Sequence, residues 1–246
     1  MRINLILIAL VLFTSCKEDQ PITAQHIVNK SIETSGGKNY ANFSMEFDFR
    51  KRHYISTLNN GNFEYSRITT DSVTTIIDAY GNAKPFSRTK NNSVESVLDS
   101  RIPRIENSIN SVNYFVLLPY GLNDAAVNKT LLEGTTINGQ AYYKIKVTFN
   151  QEGGGEDFED VYIYWVNKAT YKIDFLAYSF HVNGGGMRFR EAFNERYVNG
   201  IRFVDYNNYK PSVKDARVEQ LDRLFEKGQL KLLSKIETEN VIVKIN

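Results

Sequence analysis

The sequence predicts a mainly β fold of the α+β class, a large curved antiparallel sheet or unclosed β-barrel with helices packed on its concave side. Three observations carry this expectation. Apolar and polar residues alternate over many short stretches, the mark of half-buried strands. Those stretches fall into two meanders separated by one segment of helical period. No β-α-β-α alternation is present, which disfavours a doubly wound sheet or a (β/α)8 barrel. With 246 residues, 42% hydrophobic and 13% aromatic, the chain can bury a sizeable core and is not a disordered one. Thirty Lys and Arg against 28 Asp and Glu leave a formal charge of +2, too balanced to point to nucleic acid. A single cysteine excludes an intrachain disulfide and any zinc cluster built on several thiolates.

The first element is a leader. Arg2 precedes an unbroken apolar run from Leu5 to Phe13. As a helix that run rises roughly 14 Å, about half of a ~30 Å hydrocarbon core, so it is too short to span a bilayer. A charged start, a short apolar middle and the small residues Thr14 and Ser15 make a secretory signal, here residues 1–15, which takes no part in the fold. Leu12-Phe13-Thr14-Ser15-Cys16 resembles a bacterial lipobox, in which the cysteine becomes the acylated first residue of the mature chain. Several acyl chains at roughly 0.8 kcal/mol per buried CH2 would hold the protein on a membrane. Lys17, Glu18 and Asp19 resemble the tag that sends lipoproteins of the Bacteroidota to the outer face of the outer membrane. Residues 16–22 are then a lipidated tether, and 23–246 one folded domain.

Thr23 to Ser35 reads as a helix, with Thr23 as N-cap, Ile22, Ile27 and Ile32 on an apolar stripe and Gly36-Gly37 as the stop. The period then drops to two: Phe43, Met45, Phe47 and Phe49 alternate with Ser44, Glu46, Asp48 and Arg50. Further strands are expected over His53 to Thr57, Phe63 to Thr69 and Ser72 to Ala79, with Asn59-Asn60-Gly61-Asn62 turning one into the next. From Val94 to Val116 apolar residues recur at steps of three and four, predicting a long helix kinked or broken at Pro103. Leu117 to Leu122 is an apolar loop that something must cover. The second meander begins near Thr130. Tyr143, Ile145, Val147 and Phe149 alternate with Lys144, Lys146 and Thr148, and Val161 to Val166 is apolar on both faces. Strands follow over Tyr171 to Phe180, Met187 to Phe193 and Gly200 to Tyr206, then a short amphipathic helix over Val213 to Phe225 and a last strand over Lys231 to Ile245.

Four of these segments resemble an uncharacterised family of Bacteroidota lipoproteins: the helix from Thr23 ending in Gly36-Gly37, the loop Leu118-Pro119-Tyr120-Gly121-Leu122, the hairpin from Tyr164 through Asn167-Lys168 to Tyr171, and Gly200 to Tyr206. That family is similar to outer-membrane lipoprotein-sorting and lipid-carrier proteins of the LolA and LolB kind. The resemblance implies an unclosed β-barrel wrapped over helices, with a hollow that receives acyl chains. It brings no catalytic residues.

The sequence carries little that points to catalysis. His26, His53 and His181 are far apart and lack metal-ligand spacing, so neither a metal nor another cofactor is expected. There is no Gly-x-Ser-x-Gly elbow and no Walker loop. Gly153 to Gly155 and Gly184 to Gly186 lie between strands and read as flexible turns. Glu152, Glu156, Asp157, Glu159 and Asp160 lack an ordered calcium pattern and read as a solvated hairpin tip. The aromatics Tyr142, Tyr143, Tyr162, Tyr164, Trp165, Tyr171, Phe175 and Tyr178 suit either a core or a binding groove. Arg188, Arg190 and Arg196 near Phe189 and Phe193 have the look of a nucleic-acid face, which export and balanced charge argue against.

The expected function is therefore that of a membrane-anchored lipoprotein of the outer membrane, cell-surface exposed or else periplasm-facing. It would be a non-catalytic module holding a lipophilic ligand in a hollow lined by Phe43, Met45, Phe47 and Phe49 from one strand and Tyr143, Ile145, Val147 and Phe149 from another. Its partners would be the membrane, through its acyl chains, and that ligand. The alternatives are an interaction subunit of an envelope complex, and a hydrolase acting outside the cell. An apolar hollow with few ionisable groups would favour the first reading, and a filled hollow with an exposed apolar patch the second.

Overall fold

The computed structural model describes residues 21–155, 158–181 and 184–246. The leader, Cys16 and the residues Lys17, Glu18 and Asp19 lie outside them. The chain opens with α1 (Ala24–Ser35), whose first turn is capped as expected: the Thr23 hydroxyl accepts from the His26 amide at 3.1 Å. Gly36 ends it, its amide reaching back to the Ile32 carbonyl.

A first meander follows: β1 (Asn42–Phe49), β2 (Arg52–Asn59), β3 (Asn62–Thr70), β4 (Thr75–Gly81), β5 (Lys84–Lys90) and the two-residue β6 (Ser93–Val94). The Asn60-Gly61 turn holds positive φ at both residues, the requirement of the hairpin turn that matches strand twist. Then comes α2 (Ile102–Val116). The second meander is β7 (Val127–Ile137), β8 (Gln140–Phe149), β9 (Val161–Asn167), β10 (Ile173–Phe180), β11 (Gly186–Val198) and β12 (Ile201–Pro211). The tail supplies α3 (Leu221–Glu226), β13 (Leu230–Ile236) and β14 (Glu239–Ile245).

Among the described residues the strands form two antiparallel sheets of seven, in the orders β14-β1-β2-β3-β4-β5-β6 and β13-β12-β11-β10-β9-β8-β7. The stretch expected as one last strand is thus two strands. A short turn lets β13 pair with β12 and β14 pair with β1, so the chain's end ties one sheet to the other. Neither sheet closes on itself.

Helices α1 and α2 lie inside, between the sheets. Ala24, Ile27 and Val28 of α1 pack on Ile145, Val147, Tyr164, Val166 and Leu176 of the second sheet. Ile109 of α2 packs with Phe43, Met45, Phe47, Tyr54 and Leu58 of the first. Strand β12 serves both groups, Ile201 and Phe203 in the latter and Tyr206 in the former. Two polar contacts pin α2 to the first sheet. Ser56 donates to the buried Asn113 side chain at 2.5 Å, and Arg67 donates to Ser108 at 2.6 Å while its other nitrogen meets Asp78 at 2.9 Å. Leu117, Leu118 and Leu122 are buried, so the apolar loop is covered.

Two expectations are corrected here. The helical period from Val94 does not make helix until Ile102: Val94 ends β6 and Leu98 lies in the connection, 87% and 71% exposed. Pro103 stands in the first turn of α2, where its missing N–H costs nothing, so it starts the helix rather than kinking it. The tail helix is shorter than expected and lies on the opposite face of the second sheet. There Val218, Leu221 and Phe225 cover Ile163, Trp165, Phe175 and Phe189. This explains why Val161 to Val166 is apolar on both faces.

Candidate functional site

The two helices do not fill the whole space between the sheets. Beside the C-terminal half of α2 a cleft of about 350 Å3 remains open, at the lower end of the ~300–1,000 Å3 usual for small-molecule sites. Alternation and helical period decide its walls. From α2, Val112, Phe115 and Val116 point into it, with Ser111 at the edge. From the second sheet come Tyr162 of β9, Tyr178 and Phe180 of β10, and Arg188 and Arg190 of β11, all on the faces opposite Ile163 and Phe189. Phe49 and Arg50, at the turn from β1 to β2, form the far lip, with Ile236 and Thr238 from the β13–β14 turn.

Five aromatic rings line the cleft, those of Phe49, Phe115, Tyr162, Tyr178 and Phe180. Tyr162 and Tyr178 stack with centroids 5.3 Å apart, and Phe115 lies 5.6 Å from Tyr178 and 6.3 Å from Tyr162. Behind them the Tyr114 and Tyr164 hydroxyls meet at 2.6 Å. Burial pushes the Tyr162 hydroxyl well above the ordinary tyrosine range, with the nearby Tyr114 and Asp160 reinforcing it, so it stays protonated at any physiological pH.

Charge enters from one side. Arg190 is only 8% exposed. Its guanidinium lies 3.9 Å from the Phe115 ring centroid and 5.2 Å from that of Tyr178, and one terminal nitrogen donates to the Tyr178 hydroxyl at 3.0 Å. Arg188 stands over Phe180 at 4.9 Å and Arg50 over Phe49 at 5.1 Å. Arg50 and Lys51 both hold positive φ, at 49° and 61°, a conformation that Asn or Gly adopts more cheaply. A polar basin of about 560 Å3 adjoins this lip, sharing Phe49 and Arg50 and edged by Lys51, Arg52 and Lys235 as well as Asp48, Glu237 and Glu239.

The expected ligand-lining residues separate. Phe49 lines the cleft. Phe43, Met45 and Phe47 are buried against α2, and Ile145 and Val147 against α1, so these five build the core on which the helices rest. Tyr143 and Phe149 are half-buried at its margin; Phe149 meets Tyr162 edge-on at 5.7 Å but does not reach the cleft. Asp160 is a second correction. It is 6% exposed on the cleft wall rather than solvated at a hairpin tip, while Glu156 and Asp157 of the same cluster lie outside the described residues. Arg190 gave no local sign of burial: on a strand whose other face carries Phe189, a cation reads as solvent-facing until α2 is seen to cover it. Arg196 lies elsewhere, pairing with Asp205 at 3.2 Å.

The cleft offers apolar surface and guanidinium groups to a ligand. His181 Nδ1 stands 3.8 Å from the Asp160 carboxylate at the cleft's edge. Among the described residues no group of three or more His, Cys, Asp or Glu side chains could hold a metal ion, and no helix is long and apolar enough to cross a membrane.

A family of unknown function, DUF6503, matches residues 2–238. No curated protein matches the sequence. Among solved structures, the chain is similar to a LolA superfamily protein from Nitrosomonas europaea, at 12% identity and a TM-score of 0.47, covering 91% of this chain and 92% of that one. A domain described as an outer membrane lipoprotein-sorting protein, from Vibrio parahaemolyticus, is similar at 9% identity and a TM-score of 0.47, covering 90% and 92%. A DUF1329 family protein from Desulfovibrio piger is similar at 8% identity and the same TM-score, covering 91% and 94%.

Proposed function

The chain belongs to the family DUF6503, and we propose that it is a non-catalytic lipoprotein that holds one lipophilic chain between α2 and the two sheets. The observation that supports this is the aromatic cleft itself. Phe49, Val112, Phe115, Val116, Tyr162, Tyr178 and Phe180 line an open cleft, and the apolar surface left over from their mutual packing faces solvent, an arrangement that costs free energy unless something covers it. At about 350 Å3 the cleft admits a single chain, because the rest of the hollow is taken by α1, α2 and the core beneath them. Residues 1–15 serve as the export signal, Cys16 as the acylated anchor, and 16–22 as a tether for the unit 23–246. Lys17, Glu18 and Asp19 direct it to the outside of the outer membrane.

Native mass spectrometry of the Cys16→Ser protein, purified without detergent, tests the binding reading. The expected result is a small bound mass that organic solvent strips off, or uptake of one equivalent of added dodecanol. An empty protein that takes up none refutes it. The same substitution should move the protein from the membrane fraction to the soluble one, and continued membrane association would refute the anchor.

One observation favours a second reading, an interaction subunit of an envelope complex. Val94, in the edge strand β6 of the first sheet, and Leu98, in the connection that follows, are both exposed. Leu98→Lys would then abolish cross-links to a partner on intact cells while leaving dodecanol uptake unchanged.

A further inference from the structure

The aromatic walls account for an apolar tail but leave the cations of the cleft without a role. Arg190 is over nine-tenths buried, and a buried charge is costly unless it is paired and hydrogen-bonded. The contacts of its guanidinium include three aromatic rings, Phe115, Tyr178 and Tyr206, and one neutral hydroxyl, that of Tyr178. Its Nε, buried in the wall, has no hydrogen-bond partner, and Asp160 on the same wall has contacts of its own. Arg67, whose Nε is likewise without a hydrogen-bond partner, has Asp78 at 2.9 Å, and Arg202 has Glu195 at 2.5 Å. Arg190 instead lines an open cleft. Arg188, half-buried on the same strand and same face, and Arg50 at the lip continue the positive charge outward to the polar basin. Asp160 shares the wall, beside His181 at 3.8 Å.

Resting on the binding reading above, we infer that the ligand is a single-chain amphiphile with an anionic oxyacid headgroup, carboxylate or phosphate. The headgroup accepts from Arg190, with Arg188 second, and the tail lies along Phe115, Val116 and Tyr162. The terminal nitrogens of a planar guanidinium on the cleft wall match the oxygens of such a group. Cation–π contact with Phe115 holds the guanidinium in place before the ligand arrives. The volume limits the ligand to one chain, which excludes a diacyl or triacyl lipid swallowed whole.

Calorimetric titration of the Cys16→Ser protein with dodecanoate, dodecyl phosphate and dodecanol tests this, each also against Arg190→Leu and Arg190→Lys. An acid should bind roughly 10–100-fold more tightly than the alcohol of the same chain, the range for a hydrogen bond to a charged group. Whichever acid binds more tightly identifies the headgroup. Arg190→Leu should erase that preference and leave dodecanol binding within a few-fold, while Arg190→Lys should keep part of it. The comparison of acid with alcohol on unaltered Arg190 stands even if the leucine variant fails to fold. Equal affinity for all three ligands overturns the headgroup assignment and leaves the cleft reading intact. If none binds, both fall.

Discussion

The length of the bound chain is set by the cleft, and a series of alcohols from hexanol to octadecanol measures it. Each methylene moved from water into the cleft should contribute about 0.8 kcal/mol, which is roughly a fourfold gain in affinity. The cleft holds about 350 Å3, and a methylene fills about the room of a water molecule, roughly 30 Å3. Affinity should therefore climb steadily and level off at about ten to twelve carbons, where further methylenes stay in water. Val116→Phe puts four more carbon atoms into the space beside Phe115 and should bring the plateau forward by about three or four carbons on the same measure. Displacement of an environment-sensitive naphthylamine dye gives the affinities, and titration at several temperatures should show the negative heat-capacity change of apolar burial. A series with no gain per carbon would place the ligand on the outer surface. A climb that continues to octadecanol, or a plateau that Val116→Phe does not move, would show that the tail does not end in this cleft.

Other consequences follow from the packing around it. Asp222→Ala strips Lys144 of a carboxylate at 3.1 Å and Trp165 of an acceptor at 3.3 Å beneath α3; with both charges buried the loss should be about 3–5 kcal/mol, and a urea midpoint change worth under 1 kcal/mol would contradict it. Thr23→Ala removes the cap of α1 and should cost about 1 kcal/mol in the same assay, with Thr23→Ser near neutral. Burial first, and then the carboxylates Asp174 and Glu191, push the Tyr142 and Tyr209 hydroxyls up to about 12. The unfolded chain releases those protons near pH 10, so it binds fewer protons than the native state above that pH. Stability contributed by these two groups is whole below pH 10 and declines between pH 10 and 12. Thermal melts across that window should fall with pH, and tyrosinate absorbance that develops fully by pH 10 in still-folded protein would refute the assignment.

Much of the local structure was legible because its causes are local. The Thr23 cap, the stop at Gly36 and the two-residue period from Phe43 to Phe49 each depend on neighbours within a few positions, and each stands in the structure as expected. The same holds for the turn at Asn60-Gly61. Apolar spacing was less secure where its cause was not helical packing. Val94 and Leu98 fit the helical steps by coincidence and point into solvent, and a proline that could break a helix or begin one began it.

What the amino-acid order determined by itself was the class of most elements and the inward faces of their strands, since steric preference and period act over short distances; β5, β6 and the division of the tail into β13 and β14 it did not give. Tertiary structure alone decided which inward faces became core and which remained a site. Phe47 and Phe115 are alike as side chains, yet Phe47 is sealed beneath α2 while Phe115, on α2 itself, faces open space. The same holds for charge. Arg190 acquires its meaning from Phe115, 75 positions earlier, and from Tyr178 on the neighbouring strand. Burial is a property of what packs on a residue, and no local pattern around β11 carries word of a helix that folds over it from so far away.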